Sequence, residues 1–213
     1  MTMRVTLIDH YDSFTHNLVD WLLQSTIITE VELVEFDNKI KMKHLFNKFD
    51  RPLIFSPGPN SPKDIPSSKL LLQNAYGKVP ILGICLGFQL IAELNGLGIT
   101  KVSKPFHGTA IELKIFNQDG IFKGIQDRTE VARYNSLGVE YSPDLNTNLK
   151  KMVSAISEDG MIQAIEDFTY VQAPVIGLQF HPESFMTKES ATLVNNLTKI
   201  LSYSDRLRND ASI

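Results

Sequence analysis

Short runs of apolar, β-branched residues return along this chain, separated by stretches with helical periodicity. Arg4–Asp9 (RVTLID), Val31–Phe36 (VELVEF), Pro52–Phe55 (PLIF), Val79–Ile84 (VPILGI) and Val175–Phe180 (VIGLQF) read as strands. Their near-continuous apolar character belongs to strands buried on both faces, the situation in a parallel sheet covered by helices. Phe14, Leu18, Trp21 and Leu22 recur at helical spacing behind Asp12 and Ser13, two good capping residues, so a first helix is predicted there. Met42–Phe49 carries a weak helical pattern, and Ser67–Tyr76, Leu86–Leu94 and Thr187–Leu201 carry stronger ones. Glu158-Asp159-Gly160 marks the turn of a hairpin among several weaker strands. The pattern predicts an α/β fold, an open and mostly parallel sheet flanked by helices in three layers, with an additional small antiparallel region.

The 213 residues, 43% of them hydrophobic, suffice for one substantial core. One domain is expected over residues 1–201, followed by a polar, aperiodic tail over 202–213 that is expected to be flexible. A formal charge of -3 offers no basic field to a nucleic-acid backbone, so nucleic acid is not an expected partner. No apolar stretch reaches the roughly 18 residues of a membrane span. The opening MTMRVTLIDHYDSF is interrupted by acids and a histidine too early for a secretory signal. A cytoplasmic location, away from any membrane, is the expectation.

The chain has a single cysteine, Cys85. One cysteine makes no internal disulfide and no thiolate metal cage, which leaves it packing or nucleophilic chemistry. Gly83-Ile84-Cys85-Leu86-Gly87 places it between two glycines, where a strand passes into a helix. This is the nucleophile-elbow arrangement with Cys in place of Ser. Glycines on either side let neighbouring backbones approach, and the start of a helix favours negative charge. The Leu86 N–H is the first candidate to hold a developing oxyanion. A small buried cysteine beside an apolar strand is the plain alternative.

Gln179-Phe180-His181-Pro182-Glu183 follows a second buried strand, so His181 is expected at the same sheet edge as Cys85. A histidine can take the thiol proton and return it to a leaving amine, while Glu183 fixes the imidazole's tautomer and stabilises its charged form. Taken singly, His181 reads equally as a loop histidine and Glu183 as a solvated or capping carboxylate. The stretch Ser56–Pro62 holds three prolines and a glycine, so its geometry is largely fixed. The Gly58 N–H is a second candidate oxyanion donor, and the missing side chain leaves room for substrate. Gln89 falls about one helical turn after Cys85, with an amide suited to the polar end of a substrate, although a surface glutamine is the default.

Five segments in this order resemble the class I glutamine amidotransferases. They are Asp9-His10-Tyr11-Asp12-Ser13-Phe14-Thr15, Ser56-Pro57-Gly58-Pro59, Gly83-Ile84-Cys85-Leu86-Gly87-Phe88-Gln89, Arg133-Tyr134-Asn135-Ser136-Leu137 and Gln179-Phe180-His181-Pro182-Glu183-Ser184. The resemblance implies a Cys85-His181-Glu183 triad that hydrolyses L-glutamine to glutamate and ammonia through a γ-glutamyl thioester. It implies that Gly58, Gln89, Ser136 and Leu137 bind glutamine, the last two mainly through backbone groups. The Tyr-Asp-Ser-Phe-Thr segment is similar to that of the glutaminase subunits, component II, of anthranilate synthase and aminodeoxychorismate synthase. Such a subunit would pass ammonia to a chorismate-binding component I within a hetero-oligomer. By the same resemblance this subunit needs no metal or organic cofactor, and magnesium serves the partner.

The chain departs from that family in having Phe88 and Asn135 where His is common, and Thr109 where Lys commonly follows the His-Gly pair. Two other readings compete: a catalytically silent regulatory or binding subunit with the same fold, and a stand-alone cysteine hydrolase using the same elbow. Intact Cys85, His181 and Glu183 weigh against the first. The Tyr-Asp-Ser-Phe-Thr and Ser-Pro-Gly-Pro segments weigh against the second.

Overall fold

Each of the five apolar runs forms a strand, and the five lie side by side and parallel. They are β1 (Met3–Asp9), β2 (Ile28–Glu35), β3 (Leu53–Phe55), β4 (Ile81–Ile84) and the late β11 (Val175–Leu178), in the spatial order β2-β1-β3-β4-β11. Beyond β11 the sheet continues antiparallel through β10 (Ile162–Asp167), β9 (Val153–Ser157), β6 (Thr109–Ile115) and β7 (Glu130–Arg133). A separate antiparallel pair joins β5 (Ile99–Lys101) to β8 (Leu137–Val139). The computed structural model describes residues 2–210, and side chains as far as residue 202.

Parallel neighbours need long crossovers, and helices supply them. α1 (Thr15–Leu23) and α6 (Ser190–Asp210) cover one face, and α2 (Lys39–Asn47), α3 (Pro66–Ala75) and α4 (Leu86–Leu94) cover the other. The alternation of side chains along β1 divides the core accordingly. Val5 and Leu7 pack in the layer with Leu18, Trp21 and Leu22 of α1 and Leu193, Val194 and Leu197 of α6. Ile8 joins the opposite layer with Met42, Leu71 and the apolar side chains of α4. The Trp21 indole N–H donates to the Ser190 carbonyl at 3.1 Å and ties α1 to the start of α6. α4 is buried from Leu86 through Ala92, as befits a helix apolar all round.

The hairpin expected at Glu158-Asp159-Gly160 connects β9 to β10. β6 alternates exposed and covered residues, and a cleft of about 960 Å³ lies along its open face, lined in part by Ala110, Glu112, Lys114 and Arg128. A short helix, α5 (Thr147–Met152), precedes β9. α6 begins three residues later than its apolar periodicity suggests. The Thr187 hydroxyl donates to the His181 carbonyl at 2.6 Å and accepts the Ala132 N–H at 3.0 Å, and Glu189 turns the chain with φ of 60°. α6 continues past Ser202, where a tail is expected, and the last residues of that tail, 211–213, lie outside the described residues. Among the described residues no helix is long and apolar enough to cross a membrane.

Candidate active site

The register of the sheet puts the site together. β4 and β11 pair Ile84 with Leu178, and the Cys85 N–H donates to the Leu178 carbonyl at 2.8 Å. The segments leaving the ends of β4 and β11 therefore lie side by side, at the carboxyl edge where open α/β sheets place their sites. Cys85 occupies the bend into α4 with φ 51° and ψ -99°. A non-glycine residue there carries strain of about 1–3 kcal/mol, which the surrounding packing must hold. The glycines explain how. A Cβ on Gly83 would overlap the Gly87 carbonyl, and one on Gly87 would overlap the Phe55 carbonyl oxygen of the adjacent strand. The elbow closes against β3 only because both positions lack side chains, and it leaves Cys85 8% exposed.

The Ser56–Pro62 loop leaves β3 and folds over the elbow. A Cβ on Gly58 would come within 2.7 Å of His10 Cβ and 2.8 Å of Leu86 Cδ2, so the backbone of Gly58 lies against both. Leu86 is the first residue of α4, and its N–H has no acceptor within the helix. Two backbone segments that can donate to an oxyanion thus meet beside the thiol.

His181 is 1% exposed, and its Nδ1 lies 2.7 Å from Oε1 of the Glu183 carboxylate, whose side chain is wholly buried. Because a carboxylate only accepts, Nδ1 carries the proton and Nε2 is left for the thiol. Nε2 is buried without a hydrogen bond of good geometry. Burial on its own would lower the His181 pKa, but the Glu183 charge, followed by the Cys85 thiol, overrides it and raises the pKa well above the usual value. Asp12 approaches the same group, and burial raises its carboxyl pKa. The N-cap of α1 is Phe14, without a side-chain cap, instead of the expected Asp12 or Ser13; Asp12 Oδ1 accepts the Phe14 N–H at 2.8 Å and holds the turn just before the helix.

The expected glutamine contacts are placed less simply. Gln89 is buried beneath the elbow, and its amide donates to the Leu137 carbonyl at 3.1 Å and to Gln179 Oε1 at 3.3 Å. The Leu137 carbonyl also accepts from Asn135 Nδ2 at 2.8 Å, so both of its lone pairs are engaged. Ser136 is exposed beside it, and its carbonyl accepts the Val102 N–H at 3.0 Å. Gln89 therefore braces the 135–137 turn. Phe88, one of the two positions where the family resemblance leads to an expectation of His, is fully buried against Gly177 in the core and takes no place in the site.

Arg133 belongs to the site's surroundings for a reason invisible in its local sequence. Its side chain is fully buried, with the guanidinium 3.8 Å from the Phe106 ring centroid. Nη1 pairs with Asp159 at 2.8 Å, and Nε donates to Asn135 Oδ1 at 3.0 Å. Burial lowers its pKa against the opposing pull of Asp159 and Cys85. Asn135 thus connects a buried cation to the turn that Gln89 braces. The only local signal is a charged residue ending the apolar Val131-Ala132 step, and that pattern fits an exposed strand end equally well.

The glutamine amidotransferase class-I family model matches residues 6–200. Anthranilate synthase component 2 of Lactococcus lactis is 35% identical over 195 residues, covering 90% of this chain and 92% of that protein. Two longer relatives match over only part of their length. They are the bifunctional protein TrpGD of Thermotoga maritima, 34% identical over 92% of this chain and 32% of its own, and the aminodeoxychorismate synthase of Streptomyces griseus, 34% identical over 97% of this chain and 27% of its own. A crystal structure of a glutamine amidotransferase from Thermotoga maritima shares the fold with a TM-score of 0.64 at 15% identity, covering 96% of this chain and 99% of that one.

Proposed function

We propose, from the premise that this chain belongs to the glutamine amidotransferase class-I family, that it hydrolyses L-glutamine to glutamate and ammonia and delivers the ammonia to a chorismate-binding component I. The observation that carries the chemistry is the strained Cys85 beside a buried His181–Glu183 pair 2.7 Å apart. His181 Nε2 takes the thiol proton, and the thiolate attacks the side-chain amide carbon of glutamine. The oxyanion that forms accepts from the Leu86 and Gly58 N–H groups. The imidazolium gives its proton to the amide nitrogen as the C–N bond breaks, releasing ammonia and leaving a γ-glutamyl thioester. His181 then deprotonates water, water attacks the thioester carbon, the C–S bond breaks and the thiolate recovers the proton. The Ser136 and Leu137 N–H groups, on the turn that the Gln89 amide braces, shape the end of the pocket that holds the amino-acid head.

The relatives named above support a partner that makes anthranilate, 4-amino-4-deoxychorismate or both. This chain needs no cofactor for its own step, and magnesium belongs to the partner's chemistry. A lone thiol nucleophile accords with the reducing cytoplasm. The test is to isolate the chain with its co-purifying large subunit and substitute Cys85→Ser. Glutamine-dependent product formation is expected to vanish while free ammonia still supports it, and retained glutamine-dependent activity would overturn the assignment.

A further inference from the structure

We infer that Phe14 and Tyr134 pack together as a wall against one side of the His181 imidazole and act as positioning residues for its proton transfers. The inference rests on the glutaminase reading above. The two residues come from motifs that supply no group to the chemistry, the Tyr-Asp-Ser-Phe-Thr and Arg-Tyr-Asn-Ser-Leu segments, and they converge on one side chain. The Tyr134 ring centroid lies 4.9 Å from that of His181 with the planes at 70°, and the Phe14 centroid lies 5.6 Å away at 62°. Phe14 and Tyr134 also touch, at 4.9 Å, which closes a triangle of three rings.

Each ring of this wall is itself held. The Tyr134 hydroxyl lies 3.2 Å from Ser184 Oγ, and Tyr134 follows β7, whose Ala132 carbonyl accepts the His181 N–H at 2.9 Å. The same short stretch of chain therefore fixes the backbone of His181 and packs against its ring. Phe14 is set by the Asp12 carboxylate at its N–H. The imidazole needs such support because its outer torsion is soft and roughly two-fold, and one hydrogen bond to Glu183 leaves a swing about that bond. During turnover Nε2 must serve sulfur, the departing nitrogen and water in turn without Nδ1 losing Glu183. Rings packed against the imidazole permit the small shifts and oppose the large one.

Glutamate release should be measured for the chain with its large subunit, comparing wild type with Tyr134→Leu, Phe14→Leu and Tyr134→Phe. In parallel, iodoacetamide labelling of the single cysteine at neutral pH follows thiol activation by mass. Since a misplacement of about 1 Å costs on the order of 100-fold, both Leu variants are expected to lose roughly 10- to 100-fold in kcat with little change in KM, and to label more slowly. Tyr134→Phe, which keeps the ring, is expected to stay within about threefold of wild type. The positioning role is overturned if both Leu variants keep wild-type kcat, or if Tyr134→Phe falls as far as Tyr134→Leu. Should Tyr134→Leu not fold, Phe14→Leu decides alone. A wild-type complex that releases no glutamate sinks the glutaminase reading itself, whereas an active wild type with unaffected Leu variants sinks only the positioning role.

Discussion

His10 and His181 are buried alike, at 0% and 1% exposure, and both sit at the carboxyl edge of the sheet. Their charge preferences diverge. His10 lies among neutral hydroxyls: its Nδ1–H donates to the Ser56 carbonyl at 3.1 Å, and its Nε2 accepts from the Ser68 hydroxyl at 2.9 Å. Burial dominates there and lowers its pKa to about 4, against weaker upward pulls from Ser56 and Asp9. At His181 the Glu183 carboxylate outweighs the same burial. One region uses histidine as a rigid, uncharged strut under the Gly58 loop, and in the proposed function the other serves as a reversible proton carrier. Burial is common to both, so the neighbouring groups decide the role.

The most severe way to break this contrast is Glu183→Gln, which gives His181 a neutral partner like those of His10. By analogy with triads that lose their carboxylate, kcat for glutamate release is expected to fall about 10³- to 10⁴-fold. A loss below tenfold would show that the carboxylate does not set the role of His181.

Next in size is the acid limb of stability. The folded state holds His10 neutral between its unfolded value near 6.5 and about 4, so it binds fewer protons than the unfolded chain in that window. Stability should therefore drop as pH falls through it, by about 3 kcal/mol in total. His181 tilts the curve the other way: its contribution is complete below the unfolded value near 6.5 and is lost as pH rises through its raised folded pKa. Urea melts from pH 7 down to pH 4.5 should show the acid loss in the wild type and a shallower one in His10→Asn. Equal slopes in the two proteins would remove His10 as its source.

A smaller effect extends the comparison to a carboxyl. Glu166 is 5% exposed, and burial raises its pKa to about 7, opposed by the Ile121 N–H at 3.1 Å on Oε2. Its Oε1 is buried without a hydrogen bond of good geometry, and the Ser154 hydroxyl nearby offsets the burial only in part. The ionised form costs stability as pH rises from its unfolded value of 4.5 toward 7. Glu166→Gln is expected to stabilise the protein by about 2 kcal/mol at pH 8 and by much less at pH 5. A thermal melt showing no gain at pH 8 would mean that the carboxylate finds compensation there.

Much of this architecture is legible in the linear chain because the parallel strands are buried on both faces. RVTLID and VIGLQF have few alternatives to a central strand, and the glycines of the elbow record where backbones must touch. The antiparallel wing is harder to read. Thr109–Ile115 is mostly exposed or half covered, so polar and apolar residues mix without a clear run, while Glu130–Arg133 is covered but short and charged at both ends. Arg133 is hidden for a different reason. A charged side chain is expected outside, and its burial depends on Phe106 and Asp159, one supplied by the approach to β6 and the other by the β9–β10 turn. The glutamine-binding role expected for Gln89 came from its spacing from Cys85 and from the family resemblance, and neither reveals that its amide donates to the Leu137 carbonyl and Gln179. Phe14 and Tyr134 stand 120 positions apart, and nothing short of the folded sheet brings their rings together.

The pairing of β4 with β11 also sets an order in time. β11 is the last strand of the sheet to leave the ribosome, and it is the seam between the parallel and antiparallel parts. Until it docks, the nascent chain carries a thiol with no base beside it and a sheet in two pieces. In the proposed function, emergence of β11, closure of the sheet and arming of Cys85 thus become a single event, and the sulfur never has to wait in an unfinished protein.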